Sequence, residues 1–520
     1  MMKVEQDRRI RRRIQPVLLC LPFFLMLVSC GSATSSLRAL PEWSPMQYAP
    51  RAPGIPWQPR PDQIRPLPGE RLTGIPPSLE PFASSLTLTQ LADTALGNTP
   101  TTREAWEKAR AAATAWGAAR GGYYPSVAIN AAGLVNRGGG TLAGVALASA
   151  GAGGAQHADI GLADIKLSYL LLDFGGRGAQ ADSAEQALIA ANWNHSQAIQ
   201  DVLRNVARAY YAYLGARARV ESSEANLAEA RTSLEAVEVR RQAGVATVAD
   251  LYQAQSNVAQ AVLQLETDRG RVQTIRGTLA TAVGWPANTA FDVAGQLNDA
   301  PLDSINRGVE ELIDEAQRSR PDLAAVRAFV RKKEADLRQA ESARWPTLVG
   351  TAALGTENVD GSRLPGSSPG YTAGVQLRIP VFQGGALENA VRGAQADLEA
   401  ARAALNLQSQ AVISDVWNAY ISVRTAAQQV EASEALLRSA ELAYEAALAR
   451  YRAGATDIVE LVTTQSTLAR ARSQSVNAQT SLFTSYEELI HAIGATRLQD
   501  SGSSQDSGAT SRAGSQGERK

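Results

Sequence analysis

Tyr451-Arg452-Ala453-Gly454-Ala455-Thr456-Asp457-Ile458-Val459-Glu460-Leu461 repeats, 210 positions on, the stretch Arg241-Gln242-Ala243-Gly244-Val245-Ala246-Thr247-Val248-Ala249-Asp250-Leu251. In both, a glycine suited to a left-handed helix end is followed by a residue that can cap a new helix. The first cap is Thr247; in the second copy Thr456 and Asp457 both qualify. The same offset relates Ala209-Tyr210 to Ala419-Tyr420, Gln255-Ser256 to Gln465-Ser466 and Gly284 to Gly494. Upstream, the pairs Pro100/Pro125 and Pro321/Pro346 have the same spacing. Solenoid units run ~20–50 residues, so this is a duplicated half-protein rather than a solenoid.

Before each glycine lies a heptad pattern. Val202, Val206, Ala209, Tyr213, Ala216, Val220, Ser223, Leu227, Ala230, Leu234 and Val237 alternate by three and four. Val412, Val416, Ala419, Val423, Ala426, Val430, Ser433, Leu437, Ala440, Tyr444 and Ala447 repeat the phase. This is coiled-coil patterning. A helix from Gln180 to Arg240 would be about 60 residues, or ~90 Å at 1.5 Å per residue. Its alanine-rich seam buries little area per residue, at ~25 cal/mol per Å2. After each glycine a second helix follows, through Val248, Leu251, Gln255, Val258, Val262 and Leu265 in one copy and Ile458, Leu461, Gln465 and Leu468 in the other. Each half therefore holds a long antiparallel hairpin with a tight tip, and Gln255 and Gln465 are expected to face water.

Four stretches alternate with period two, around Val127–Gly133, Ala163–Tyr169, Thr347–Leu354 and Tyr371–Ile379. In the last, Tyr371, Ala373, Val375, Leu377 and Ile379 oppose Thr372, Gly374, Gln376 and Arg378. Such strands, read as ~9–11 residues, have the length that crosses a bilayer as tilted β, with one face to lipid and one to a wet lumen. Four strands do not close a barrel, and an open edge in lipid leaves backbone groups unpaired. Either these strands lie outside the membrane, or several copies pool them.

The ends supply an address. Lys3, Arg8, Arg9, Arg11, Arg12 and Arg13 precede an apolar run, Val17–Val28, too short to span a bilayer. Leu27-Val28-Ser29-Cys30 is similar to a bacterial lipoprotein cleavage site, which makes Cys30 the lipidation candidate and 1–29 the signal peptide. Removing 1–29 leaves 45 basic and 49 acidic residues, with no basic tract to suit nucleic acid. The twelve prolines of 31–81 make 30–85 an extended strap. The repeats take 86–300 and 301–498, and 499–520 has the composition of a disordered tail. His157, His195 and His491 are isolated, and no nucleotide loop or Gly-x-Ser-x-Gly occurs, so neither an enzyme, a metal site nor a cofactor is expected.

The duplication, the junction Val375-x-Leu377-x-Ile379-Pro380-Val381-Phe382-x-Gly384-Gly385 and the second tip motif together resemble the TolC family of outer-membrane efflux and secretion ducts, over roughly 86–495. The first junction, Leu170-Leu171-Leu172-Asp173-Phe174-Gly175-Gly176, lacks the proline, and Arg241 stands where the second tip has Tyr451. The resemblance implies a homotrimer, mainly α with transmembrane β, whose twelve-stranded β-barrel is continued by an α-helical periplasmic barrel. It implies partners in a periplasmic adaptor, an inner-membrane pump and outer-membrane lipid. It implies adaptor docking at the hairpin tips (Gly244, Thr247, Gly454, Thr456, Asp457) and a periplasmic gate at Asp250, Tyr451 and Glu460. In that gate the Tyr451 hydroxyl donates to Asp250 in the closed state, and Glu460 forms a cation-favouring ring. Small-molecule efflux is the leading reading. A type I secretion duct is the alternative within the family, and a periplasmic coiled-coil adaptor or structural lipoprotein the alternative outside it.

Overall fold

The computed structural model describes residues 74–80, 83–137, 157–297, 307–361 and 366–495, all within the second of two compact units, Leu72–Lys520. The signal peptide, Cys30, most of the strap and the tail lie outside the described residues.

Twelve main elements follow in chain order: α1 Leu88–Asn98, α2 Pro100–Arg120, β1 Ser126–Arg137, β2 His157–Leu172, α3 Gly176–Gln242, α4 Val248–Val283, α5 Val309–Ser319, α6 Pro321–Ser342, β3 Thr347–Gly361, β4 Gly366–Arg378, α7 Ala386–Arg452 and α8 Ile458–Ile493. The offset of 210 holds residue for residue from the start of α3 to the end of α8: 176 with 386, 242 with 452, 248 with 458 and 283 with 493. It extends to the backbone before α3 and α7. Two left-handed residues lead into each helix, Phe174 (φ 49) and Gly175 (φ 92) in one copy, Gly384 (φ 61) and Gly385 (φ 79) in the other. A left-handed phenylalanine costs roughly 1–2 kcal/mol, and a stack on Trp345, 5.5 Å between centroids, offsets it.

The α3 and α7 helices have 67 residues each, about 100 Å at 1.5 Å per residue. They run the length of the helical layer, and shorter helices stack end to end beside them. Near the sheet the order is α2–α3–α6–α7, and toward the tips it is α4–α3–α8–α7. Four helices therefore stand side by side at either level. Toward the tips the layer ends at α4 on one side and α7 on the other.

The heptad seam is where the sequence puts it. Val206, Val237, Val412, Val416 and Val423 are fully buried. The α4 seam departs from expectation: Val248 and Val262 are exposed, and Ala254 rather than Gln255 is buried. Gln255 faces water as expected, but Gln465 is only 8% exposed and its Oε1 has no hydrogen-bond partner. The reason is position in the layer, since α8 is held between α3 and α7 whereas α4 has a neighbour on one side. Between hairpins the contact is partly polar. Arg472 of α8 pairs with Glu229 of α3 at 2.6 Å and donates to Asn226 at 3.0 Å. Gly215 of α3 gives room to Thr480 of α8, which a Cβ there would strike.

The strands form one antiparallel sheet in the order β1-β2-β3-β4. They span 12, 16, 15 and 13 residues, longer than expected. The ladder continues past the apolar band, through Val135↔Asp159↔Asp360, because backbone pairing needs no apolar face. The register puts like residues side by side. Ile129, Ile165, Leu354 and Tyr371 form one row across all four strands; Val127, Leu167, Ala352 and Ala373 form the next. Ala128, Lys166, Ala353 and Thr372 share the other face, where Asn130 also donates to Asp164 at 3.0 Å. Ile129, Leu354, Tyr371 and Val375 are 63–83% exposed, so a continuous apolar face stands uncovered in a single chain. Among the described residues β1 and β4 each pair on one side only. No described helix is long and apolar enough to cross a membrane.

Candidate functional site: the paired hairpin tips

Both tips close in the same way. Gly244 and Gly454 each have φ 76. The amide of Val245 donates to the carbonyl of Arg240 and that of Ala455 to Arg450, both at 2.9 Å, while the glycine amides bond one turn in. This satisfies the orphan carbonyls of α3 and α7 and reverses the chain in few residues. Thr247 caps α4 in a reciprocal box: its hydroxyl accepts from the Asp250 amide at 3.2 Å, and Asp250 accepts from the Thr247 amide at 2.7 Å. In the second copy Asp457 is the cap, accepting from the Glu460 amide at 3.1 Å. Thr456 instead donates to the Glu460 carboxylate, which also pairs with Arg450 at 2.6 Å.

The two tips are packed against one another. Tyr451 is 2% exposed, in a cluster with Val237 and Leu251 from the first hairpin and Ala447, Ile458 and Leu461 from the second. Arg240 of α3 lies over the Tyr451 ring at 4.5 Å and donates to the Tyr451 carbonyl. The phenol oxygen is buried and has no hydrogen-bond partner. Burial pushes its pKa up; the Arg240 charge opposes this and the Asp250 charge adds to it. Tyr451 and Asp250 are thus near enough to feel each other, yet no hydrogen bond joins them within one chain. Asp250 and Glu460 both have partners in their own hairpin.

Sequence reading brought Tyr451, Asp250 and the caps to this place and missed Arg240. Its signal was the duplication itself: Arg240 and Arg450 are equivalent by the 210 offset. Equivalent arginines have different work here, one covering an aromatic ring of the other hairpin and one neutralising an acid of its own. Arg472 with Glu229 and Asn226 forms a further polar layer above the tips. Beside it a cleft of about 400 Å3 opens between α4 and α8, lined by amides that include Gln260, Gln264 and Gln465.

With the duplicated hairpins, the four-stranded sheet and the packed tips in place, likeness to known proteins becomes specific. The chain belongs to the outer membrane efflux protein family, which it matches over residues 91–285 and 312–495. It is 29% identical over 416 residues to Protein CyaE of Bordetella pertussis, covering 79% of this chain and 84% of that one. It is 29% identical over 342 residues to the pyoverdine export outer membrane protein OpmQ of Pseudomonas putida, covering 65% and 71%. Among solved structures, the outer membrane protein VceC of Vibrio cholerae superposes with TM-score 0.69 at 20% identity, over 78% of this chain and 96% of that one. The MtrE outer membrane channel of Neisseria gonorrhoeae, in its open state, gives TM-score 0.62 at 20% identity, over 82% and 94%.

Proposed function

We propose that this chain is the outer-membrane exit duct of a three-part export system, passively conducting small molecules that an inner-membrane pump and a periplasmic adaptor deliver. The observation that carries this reading is that, among the described residues, both layers of the chain end in unpartnered edges. The sheet stops at β1 and β4, and the helix layer near the tips stops at α4 and α7. An unpaired strand edge is not tolerated in lipid, where each open backbone group costs several kcal/mol. Three copies, joined β4 to β1, with α7 meeting α2 near the sheet and α4 toward the tips, make a wall of twelve strands and a tube of twelve helices at each level. The apolar rows then face lipid, and Lys166, Asp164 and Arg378 line the lumen.

The leader 1–29 directs export, Cys30 is acylated and the strap 30–85 links that anchor to the first repeat (86–300), which the second (301–498) and the tail (499–520) follow. The tips at Gly244, Thr247, Gly454, Thr456 and Asp457 receive the adaptor. The narrow end is gated where Tyr451, Asp250 and Glu460 gather, and the free Tyr451 phenol supports a latch completed only in the closed assembly. The names of the relatives, an export outer membrane protein among them, support conduction rather than catalysis. A secretion duct would share this architecture. Finding an inner-membrane antiporter rather than a secretion ATPase as the co-purifying partner separates the two.

The test is reconstitution. Purified full chain should migrate as a trimer after cross-linking in detergent and pass ions across a planar bilayer. A chain that stays monomeric, or never conducts, refutes the duct.

A further inference from the structure

One face of the helix layer is covered and the other is open. Val202, Val206 and Tyr210 of α3 share a core with α1, and Leu482 and Leu489 of α8 share one with α5. Arg204 and Arg208 lie two residues beyond Val202 and Val206, and Thr484 two beyond Leu482. That is about 200° around each helix, on the side away from α1 and α5. There a cavity of about 490 Å3 opens between α3, α7 and α8.

Its charges fall into two groups. Arg320 is 8% exposed and fully engaged, with Asp322 at 2.6 Å, Asp415 at 3.0 Å and the Ala492 carbonyl at 3.4 Å. Arg204 and Arg208 are not. Both face the Glu488 carboxylate, each at 3.7 Å, and Arg204 faces Asp201 at 3.8 Å. Those distances are beyond hydrogen-bond reach. Neither guanidinium makes a hydrogen bond among the described residues, and the Arg204 Nε is buried without a partner. Asp201 is committed elsewhere, to Gln197 at 3.1 Å and His491 at 2.9 Å. Two guanidiniums therefore share one carboxylate, which leaves a surplus positive charge and donors without a protein acceptor on the cavity wall.

A guanidinium fork matches the paired oxygens of a carboxylate or phosphate. Cavities of about 300–1,000 Å3 hold small organic ligands, and hydroxyls and an amide from Asn418, Ser422, Thr484 and Ser485 line the rest of this one. Resting on the duct reading, in which the added layer of α1 and α5 lies outside the tube and the open face is lumen, we propose that Arg204 and Arg208 hold the oxyanion of small polar organic cargo as it passes this level. The ligand is an anion because Asp415 and Asp201 are already engaged, whereas the two arginines are not. It is cargo rather than a second subunit because subunits meet at the margins of the layer, and α3 and α8 lie within it.

The test is calorimetric titration of the purified full chain in detergent with benzoate, its neutral isostere benzamide, and inorganic phosphate. Benzoate should bind and benzamide should not. The double variant Arg204→Gln, Arg208→Gln should bind benzoate about tenfold more weakly or worse. Glu488→Gln removes the competing carboxylate and should bind it more tightly, a gain that general damage to the fold would not produce. Equal affinity for benzoate and benzamide, unchanged affinity in the double variant, or weaker binding in Glu488→Gln overturns the site. Binding of phosphate without benzoate would place a free inorganic anion there and overturn the organic ligand. Since binding is read in detergent, its absence from a protein that conducts in planar bilayers overturns the site and leaves the duct standing. Binding by a protein that never conducts leaves the anion site and overturns the duct.

Discussion

Arg240 lies over the Tyr451 ring of the opposite hairpin, 4.5 Å from its centroid, while the phenol oxygen is left without a hydrogen-bond partner. The tip is therefore held through the ring and the backbone carbonyl, not through the hydroxyl. These two contacts separate experimentally. Tyr451→Phe removes no bond the single chain makes, so its melting temperature should match wild type. If the hydroxyl latches only in the assembled, closed state, single-channel conductance in planar bilayers should rise. Equal conductance discards the latch.

Arg240→Ala should behave oppositely. It strips the cation from the ring and the donor from the Tyr451 carbonyl, a loss of roughly 1–3 kcal/mol. Thermal melting should fall, with the loss localised by hydrogen exchange to residues 236–254 and 444–461. Protection unchanged there would show that the tips are held by apolar packing alone.

The polar layer between α3 and α8 is coupled. Removing one partner of the half-buried Arg472–Glu229 pair strands the other, whose Oε2 already lacks a donor. Arg472→Met should cost up to about 3 kcal/mol, and adding Glu229→Leu should recover most of it. A double-mutant cycle on denaturation midpoints reads the coupling. Additive effects would mean that the pair contributes nothing beyond its separate side chains.

Glu487 on α8 gives a pH signature. Burial raises its pKa from 4.5 to about 7. The folded state therefore holds this proton more tightly than the unfolded chain does. Stability from this group is full below pH 4.5 and is lost as pH rises to about 7. Glu487→Gln should raise the melting temperature at pH 8 and leave it nearly unchanged at pH 4. An equal shift at both would exclude titration of this carboxyl.

Gly215→Val tests the close approach of α3 and α8. The new side chain meets Thr480, and overpacking of this kind costs about 1–3 kcal/mol. Gly215→Val with Thr480→Ala should restore the melting temperature in part.

Much of this was legible in the chain. The 210 offset places both long helices, both tips and both terminal glycines, because backbone turns depend on local residues that a duplication copies. The strand faces were legible because alternation fixes the side. Two kinds of detail were not. Gln255 and Gln465 are equivalent in sequence but one is at the edge of a layer and one within it, and neighbours decide burial. The contacts Arg240–Tyr451 and Arg472–Glu229 join different halves, across 211 and 243 positions. No local pattern encodes such pairs. At the tips, residue spacing found the tyrosine and the acids, but the acids' engagement as cap and ion-pair partners depends on side-chain geometry.

The uncovered rows of Ile129, Leu354 and Tyr371, together with bare strand margins, make a solitary subunit ill-suited to either phase. In water it shows grease; in lipid it shows unsatisfied backbone. Partnering and membrane entry are then a single event for this protein. Its yield should climb steeply with the amount of newly exported chain, and sparse expression should leave material for periplasmic proteases instead of half-built pores.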